Sequence, residues 1–475
     1  MLHILDRKKQ LASRLMKGRG DKESSKQLTN GSRIAVIGGG PAGSFFSYFL
    51  LRMAEKVDLK VEIDIYEPRR FDAFGPGGCN HCGGIVSESL VQILAMDGIH
   101  LPRDVVQRGI EAYVLHTDDG QVRIETPVHE KRIAAVYRGG GPRGTSGADW
   151  RSFDQYLLDQ AVEKGAQVRH RLVTDMVWKD GQPFLLCNDG DGGSYDLMVV
   201  ATGVNNRLLD RFEAMGCGYE RPKTTTAFVS EFHYGKELLN ETLGDAMHVF
   251  LLDIPRLEFA ALIPKSTYAT MCLLGEDIDN ELVNTFLNSP EVRKCFPEDA
   301  RISTNACHGF PRINIGGASQ PFADRVVFIG DSGVTRLYKD GIGAAYRTGK
   351  AAAIAAVLGG VSAEDFRRHY LPACSKISRD NAIGKLALIA NDFSRDKGLI
   401  RRTMLRMTAN EQQTPGVNRH MSSILWDLFT GSAPYRDIMF RMLSPSFIAS
   451  LMWNLLCVMF SFGREPVEVK QEYGN

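Results

Sequence analysis

The chain carries no excess of charge of either sign. Its 57 Lys and Arg against 56 Asp and Glu leave +1 over 475 residues, so no global field draws it to nucleic acid. A disulfide framework is missing as well: nine cysteines are scattered along the chain, and an odd number cannot all pair. A reducing cytoplasm is the expected setting. Cys79 and Cys82 form a Cys-x-x-Cys, but no second such pair completes a four-ligand set, so no metal site is expected. No long apolar run follows the basic first residues, which argues against a secretory signal. At this length the chain can bury a large core and is expected to hold more than one domain.

What is present is a glycine turn. An apolar strand, Ile34 to Ile37, runs into Gly38, Gly40, Pro41, Ala42 and Gly43, and a helical pattern follows at once. Gly38 permits a tight turn, Gly40 lets backbone amides approach a pyrophosphate, and Gly43 lets the helix lie close on its strand. The helix N-terminus then turns free N–H groups and the positive end of its dipole toward the phosphates. Glu67, at the end of a second strand from Val61 to Tyr66, is placed to accept a ribose hydroxyl, although it comes later than the usual interval of about 20 residues.

Further along, a glycine-dense segment from Phe71 to Ile85 contains Cys79, His81 and Cys82 and implies close backbone approach to a ligand, or a flexible loop. Residues 86 to 97 read as a helix. Strands between about 111 and 137 include a hairpin signal at Asp119-Gly120. A glycine-rich loop, Gly139 to Gly147, leads into an amphipathic helix from Trp150 to Lys164. Strands from 166 onward end at Ala201-Thr202-Gly203, a second place for backbone to meet a dinucleotide. Residues 224 to 276 read as strands without a clear helix, an antiparallel sheet set between two parts of a nucleotide domain.

The segment 325 to 350 answers the opening motif. A buried strand delivers Gly330 and Asp331, whose carboxylate suits a ribitol hydroxyl. Gly341, Ile342 and Gly343 then start an Ala-rich helix whose amides can face a flavin ring or pyrophosphate. A nicotinamide dehydrogenase does not need this second site, whereas extended FAD does.

These segments resemble FAD-dependent oxidoreductases of the p-hydroxybenzoate-hydroxylase type, and most closely the geranylgeranyl reductase family. The resemblance rests on Gly38 to Gly43 with Glu67, Cys82-Gly83-Gly84-Ile85, Arg151-Ser152-Phe153-Asp154, and Phe328 to Gly343; Thr202-Gly203 stands where the family usually has Asp-Gly. It implies an α/β fold: a Rossmann-like FAD domain of glutathione-reductase type (residues 32–110, 145–215 and 300–360), an inserted antiparallel β-sheet substrate domain (111–144 and 216–299) and a C-terminal all-helical region (361–475). It also implies that Arg151 contacts FAD, that Cys82 lies beside the flavin, and that carbon–carbon double bonds of an isoprenoid or quinone-like substrate are reduced. The family's aromatic substrate motif is altered: Phe259, Ala261 and Ile263 stand where Tyr, Trp and Phe are usual.

Candidate acids for such a reduction are Cys82 and His81, while Cys79 and Cys82 form an alternative redox pair. One complete glycine fingerprint leaves no dedicated NAD(P)H domain, so electrons would come from transient NAD(P)H or from a protein donor. The same scaffold also serves monooxygenases and flavin electron-transfer modules. Residues 1 to 19 carry six Lys or Arg and one Asp on a helix-like pattern, and read as a membrane-surface helix, a partner-docking helix or a solvated tail. Residues 20 to 31 are a linker. The basic cluster Arg395, Lys397, Arg401, Arg402 and Arg406 suits an anionic membrane or a solvated face. The apolar run Phe447 to Phe462 would be a helix of about 24 Å, short of the roughly 30 Å hydrocarbon core. It therefore suits a monotopic helix, a core helix or an oligomer contact. A cytoplasmic protein peripheral on the inner membrane face is the expectation.

Overall fold

Leu197–Val200 and Val326–Phe328 have no polar residue, as strands covered on both faces require, while Val61–Tyr66, next to the edge strand Gln167–Arg169, carries Glu62 and Asp64. The structure is a computed structural model that describes residues 26–73, 80–127, 133–139, 150–190, 192–296, 307–395, 398–414 and 418–460. Cys79 and the helix expected in residues 1 to 19 lie outside the described residues.

The parallel sheet has six strands in the order Phe322–Ala323, Val326–Phe328, Leu197–Val200, Ser32–Ile37, Val61–Tyr66, Gln167–Arg169. All neighbours are parallel except the edge strand Phe322–Ala323. Alternate residues serve two cores. Ile34, Val36, Ile63, Leu197 and Val199 face the helices Pro41–Lys56, Phe153–Glu163 and Gly341–Ile354. Ala35, Ile37, Met198 and Val200 face a small antiparallel sheet and the helix Leu208–Ala214. The fold class is thus the α/β class expected.

The second large sheet has seven strands, ordered Cys307–Gly309, Phe228–His233, Tyr268–Gly275, Leu257–Pro264, Ala246–Leu251, Ala112–Thr117, Gly120–Glu125. Two departures from the sequence reading appear. First, Ala246–Leu251 pairs in parallel with Ala112–Thr117. The chain leaves the sheet after Glu125 and returns about a hundred residues later, so no tight turn dictates opposite directions. Second, a short helix, Lys236–Thr242, interrupts the span read as strands alone. Gly235 at φ +79 ends the preceding strand, and Leu239 is the helix's one buried residue, too little to leave a periodic signal.

C-terminal helices cover one face of this sheet. Met407, Leu425, Trp426 and Phe429 join Tyr113, Val249, Ala261 and Ile263 in one core, and Trp426 meets Tyr113 edge-on at 4.8 Å. The buried Glu411 carboxylate accepts the amides of Met421 and Ser422 at 2.9 and 2.8 Å. It thereby satisfies the start of the helix His420–Thr430, where free N–H groups favour an anion. The other face packs on Lys236–Thr242, Asn280–Asn288 and Pro290–Arg293.

Among the described residues no single helix is long and apolar enough to cross a membrane, and the pair Tyr435–Met442 and Pro445–Phe460 is bent by 63°. Arg401 and Arg402 of the basic cluster are bound to Asp119 through their Nε atoms, at 2.7 and 2.8 Å.

Candidate functional site

The glycine turn sits where the first strand meets its helix, and its backbone is crowded from below. Gly38 has φ +106, and a Cβ there would lie 2.5 Å from the Ala201 carbonyl oxygen; a Cβ on Gly43 would lie 2.0 Å from the Gly38 oxygen. Among the described residues the space above the turn is less crowded: a Cβ on Gly40 would meet a single neighbour, Asp154 Oδ1 at 3.9 Å, and one on Gly203 nothing within 4 Å. No side chain caps the helix at Gly40 and Pro41 has no N–H, so the amides of Ala42 and Gly43 are left for a ligand.

Glu67 lies against this turn. Its Oε2 accepts the Gly39 amide at 3.0 Å and its Oε1 the Arg69 amide at 3.0 Å. The distant segments converge through sheet order, because Leu197–Val200 lies between the first strand and Val326–Phe328. Ser332 Oγ donates to the Gly203 carbonyl at 3.1 Å and lies 3.4 Å from Thr202 Oγ1. Gly330, at φ +58, packs so closely on Ala42 that a Cβ would come within 2.7 Å of the Ala42 methyl. Asp331 is open to solvent, yet burial raises its carboxyl above the usual range. A Cβ on Gly341 would lie 3.9 Å from Asp331 Oδ1, so this carboxylate and the start of the next helix are neighbours.

The helix Gly341–Ile354 starts differently from expectation. Asp340, at φ +54, caps it by accepting the Gly343 amide at 3.1 Å. That amide is engaged within the chain, which leaves those of Gly341 and Ile342 for a ligand.

Arg151 does not reach the turn. Its Nη2 binds Asp159 at 2.5 Å on its own helix, and its guanidinium lies over Tyr156. Among the described residues, Arg138 reaches the turn through Asp154. It forms a two-bond pair with the buried Asp154, Nε to Oδ2 and Nη2 to Oδ1, both 2.7 Å. Asp154 in turn abuts Gly40, and Arg138 acts electrostatically on Asp331 and Cys82. No local pattern marks Arg138, because its partner Asp154 stands on the next helix.

The Asn80 to Gly84 segment bridges the turn and the seven-stranded sheet. Asn80 accepts from Arg69 at 3.1 Å and donates to the Arg138 carbonyl at 2.8 Å. A Cβ on Gly83 would lie 2.8 Å from Ile263 Cδ1 and 3.2 Å from Cys272 Sγ. His81 takes φ +46 and sets its imidazole against Gly309. Phe259, Ala261 and Ile263 all face this side, as the two-residue period of a strand requires.

Two lysines lie nearby, Lys265 buried and Lys339 half-buried. Lys265 Nζ donates to the Val136 carbonyl at 2.5 Å, next to Gly84. Desolvation pulls its pKa down to about 8 against the attraction of Glu231, Cys82 and Cys272. Lys339 Nζ donates to the Leu428 carbonyl and lies over Phe259 and Phe429 at 4.8 and 5.2 Å; desolvation and Arg336 bring it to about 7. Neither lysine stands in a sequence pattern that marks it, since only packing buries them.

No protein-family model matches the chain, and no curated protein matches it significantly. Solved structures do match in fold. A flavoprotein/dehydrogenase from Cytophaga hutchinsonii aligns with a TM-score of 0.58 at 14% identity, over 90% of this chain and 99% of that one. The halogenase PltM in complex with FAD aligns at 0.55 and 13%, over 90% and 91%. PqsL of P. aeruginosa in complex with 2-aminobenzoylacetate aligns at 0.55 and 14%, over 76% and 98%.

Proposed function

We propose that the chain is an FAD-dependent oxidoreductase whose apolar substrate lies between the flavin and the seven-stranded sheet, where Phe259 is left half-buried. The observation that carries this reading is the convergence of the glycine turn, Glu67, Asp331 and the Gly341 helix start: Glu67 accepts the Gly39 amide, Gly330 packs on Ala42, and Gly341 lies beside Asp331. The amides of Ala42 and Gly43 would hold the pyrophosphate, Glu67 a ribose hydroxyl, Asp331 the ribitol, and those of Gly341 and Ile342 the ring end. Bound there, FAD would supply the hydride, with NAD(P)H or a protein as the ultimate donor. Purification and mass spectrometry of the released cofactor test this: about one FAD per chain is expected, and a folded protein that neither retains nor takes up FAD would overturn it.

For the reaction we favour reduction of a carbon–carbon double bond in an isoprenoid or quinone-like substrate. Lys265 is the group suited to protonate the second carbon, being cationic below pH about 8 beside the Cys82 to Gly84 backbone. Turnover should fall as pH rises through about 8, and Lys265→Met should lower it and remove that limb. The same depressed pKa has a stability signature. A lysine at about 8 folded against its ordinary 10.5 disfavours folding fully below pH 8, and the penalty fades as pH rises to 10.5. Wild type should therefore gain stability across that window, and the Met variant should show no such rise in urea titrations.

A monooxygenase is the second reading, since one scaffold can host both chemistries. Turnover under strict anaerobiosis separates the two, since a reductase needs no oxygen.

The bent pair Tyr435–Met442 and Pro445–Phe460 supports peripheral contact with a membrane. Phe440, Leu443, Trp453 and Phe460 are 66, 62, 68 and 81% exposed, an apolar surface of the kind that marks an interaction site. Trp453→Ser should change stability by less than about 0.5 kcal/mol yet reduce co-sedimentation with anionic vesicles. Unchanged sedimentation would remove the membrane from the account.

A further inference from the structure

On the face of the seven-stranded sheet turned away from the glycine turn, three metal-ligating side chains meet in the core. His116 and His248 stand on the adjacent parallel strands Ala112–Thr117 and Ala246–Leu251, and Cys295 closes over them just beyond the helix Pro290–Arg293. His116 Nε2 lies 2.9 Å from His248 Nδ1, and Cys295 Sγ lies 3.4 Å from His248 Nδ1 and 3.9 Å from His116 Nε2. All three residues are buried.

We propose that His116, His248 and Cys295 bind one d10 cation, zinc(II) or copper(I), through two imidazole nitrogens and a thiolate. The spacing is the first argument. Bonds of about 2.0 Å to nitrogen and 2.3 Å to sulfur in a tetrahedral arrangement place nitrogens roughly 3.3 Å apart and sulfur roughly 3.5 Å from each. The three separations scatter around those values, and one ion at their centre needs shifts of a few tenths of an ångström. Donor chemistry is the second argument, because imidazole and thiolate together select zinc or copper(I) over calcium or magnesium.

The surroundings fit as well. Phe250 stacks on His116 with ring centroids 4.6 Å apart, which holds the ring. The Leu243 carbonyl attracts the His248 ring, though its geometry falls short of a full hydrogen bond. That contact favours the proton on Nε2 and leaves the Nδ1 lone pair for the cluster. Burial keeps both imidazoles neutral, His248 down to about 4, so their lone pairs are available. The Cys295 thiol is pushed up to about 12 by the same burial; binding would expel its proton to solvent, one per ion. Lying across the sheet from the glycine turn, the ion would clamp two strands to the helix that follows.

Metal analysis of the flavin-loaded full-length protein tests the assignment. About one zinc or copper per chain is expected, falling at least about tenfold in Cys295→Ala and staying unchanged in Cys374→Ala, a buried thiol elsewhere. Should Cys295→Ala fail to fold, wild type produced in cobalt-supplemented medium should show thiolate-to-cobalt charge-transfer absorption in the near ultraviolet. Folded wild type that carries only traces of these metals and shows no such band overturns the proposal, as does full metal retention in folded Cys295→Ala. Neither result depends on FAD, so this inference stands or falls apart from the proposed reaction.

Discussion

Gly43→Ala is expected to yield a protein without bound flavin and with stability lowered by about 3 kcal/mol. The added methyl would lie 2.0 Å from the Gly38 carbonyl oxygen and 3.0 Å from Val36 Cγ1, and the nearer of these is backbone that cannot rotate away. Relief requires the helix Pro41–Lys56 to lift from its strand. Its amides would then leave the turn, and its contact with Gly349 and Gly330 would open. Flavin content of the purified variant and its urea midpoint check both halves. A variant that keeps wild-type flavin would mean the turn does not hold the cofactor.

Arg138→Met should cost about 3–5 kcal/mol, because it strands a buried carboxylate. Asp154 is 1% exposed in its side chain and both its oxygens depend on Arg138. It also lies beside Gly40, so an uncompensated negative charge would face the proposed pyrophosphate position. Flavin affinity should fall together with stability. Replacing both partners, Arg138→Met with Asp154→Leu, should recover much of the stability, since no charge remains buried, but not the flavin affinity if Arg138 serves the cofactor. Equilibrium unfolding and FAD titration of the single and double variants separate these contributions. By contrast Arg151, paired with Asp159 on its helix surface, should tolerate replacement by Ala with a change of less than about 1 kcal/mol.

The glycine turn, Glu67, Gly330 with Asp331 and the Gly341 start were legible because each is a local device. A turn that needs positive φ, a strand that ends in a carboxylate and a helix that begins on glycine all leave their mark within a few residues. The helical character of the C-terminal region was legible as well, though not its division into separate helices. Arg138 and Lys265 were not, because their roles come from partners elsewhere: Asp154 sixteen residues away, and Val136 more than a hundred. The His116, His248 and Cys295 cluster draws on three elements far apart in the chain, and no spacing rule links them.

The glycine turn with its flanking strand and helix is therefore settled by sequence, since backbone sterics at Gly38 and Gly43 admit few alternatives. Which arginine pairs with Asp154 beside that turn, and which lysine lies against Gly84, was decided only by tertiary packing. So was the coverage of the seven-stranded sheet by the C-terminal helices, where Arg336 donates to the carbonyls of Gly431 and Ala433 and ties the Asp340 cap to them. Long charged side chains reach several ångströms from their own backbone, and their surroundings are set by strand order and domain closure rather than by neighbours in sequence.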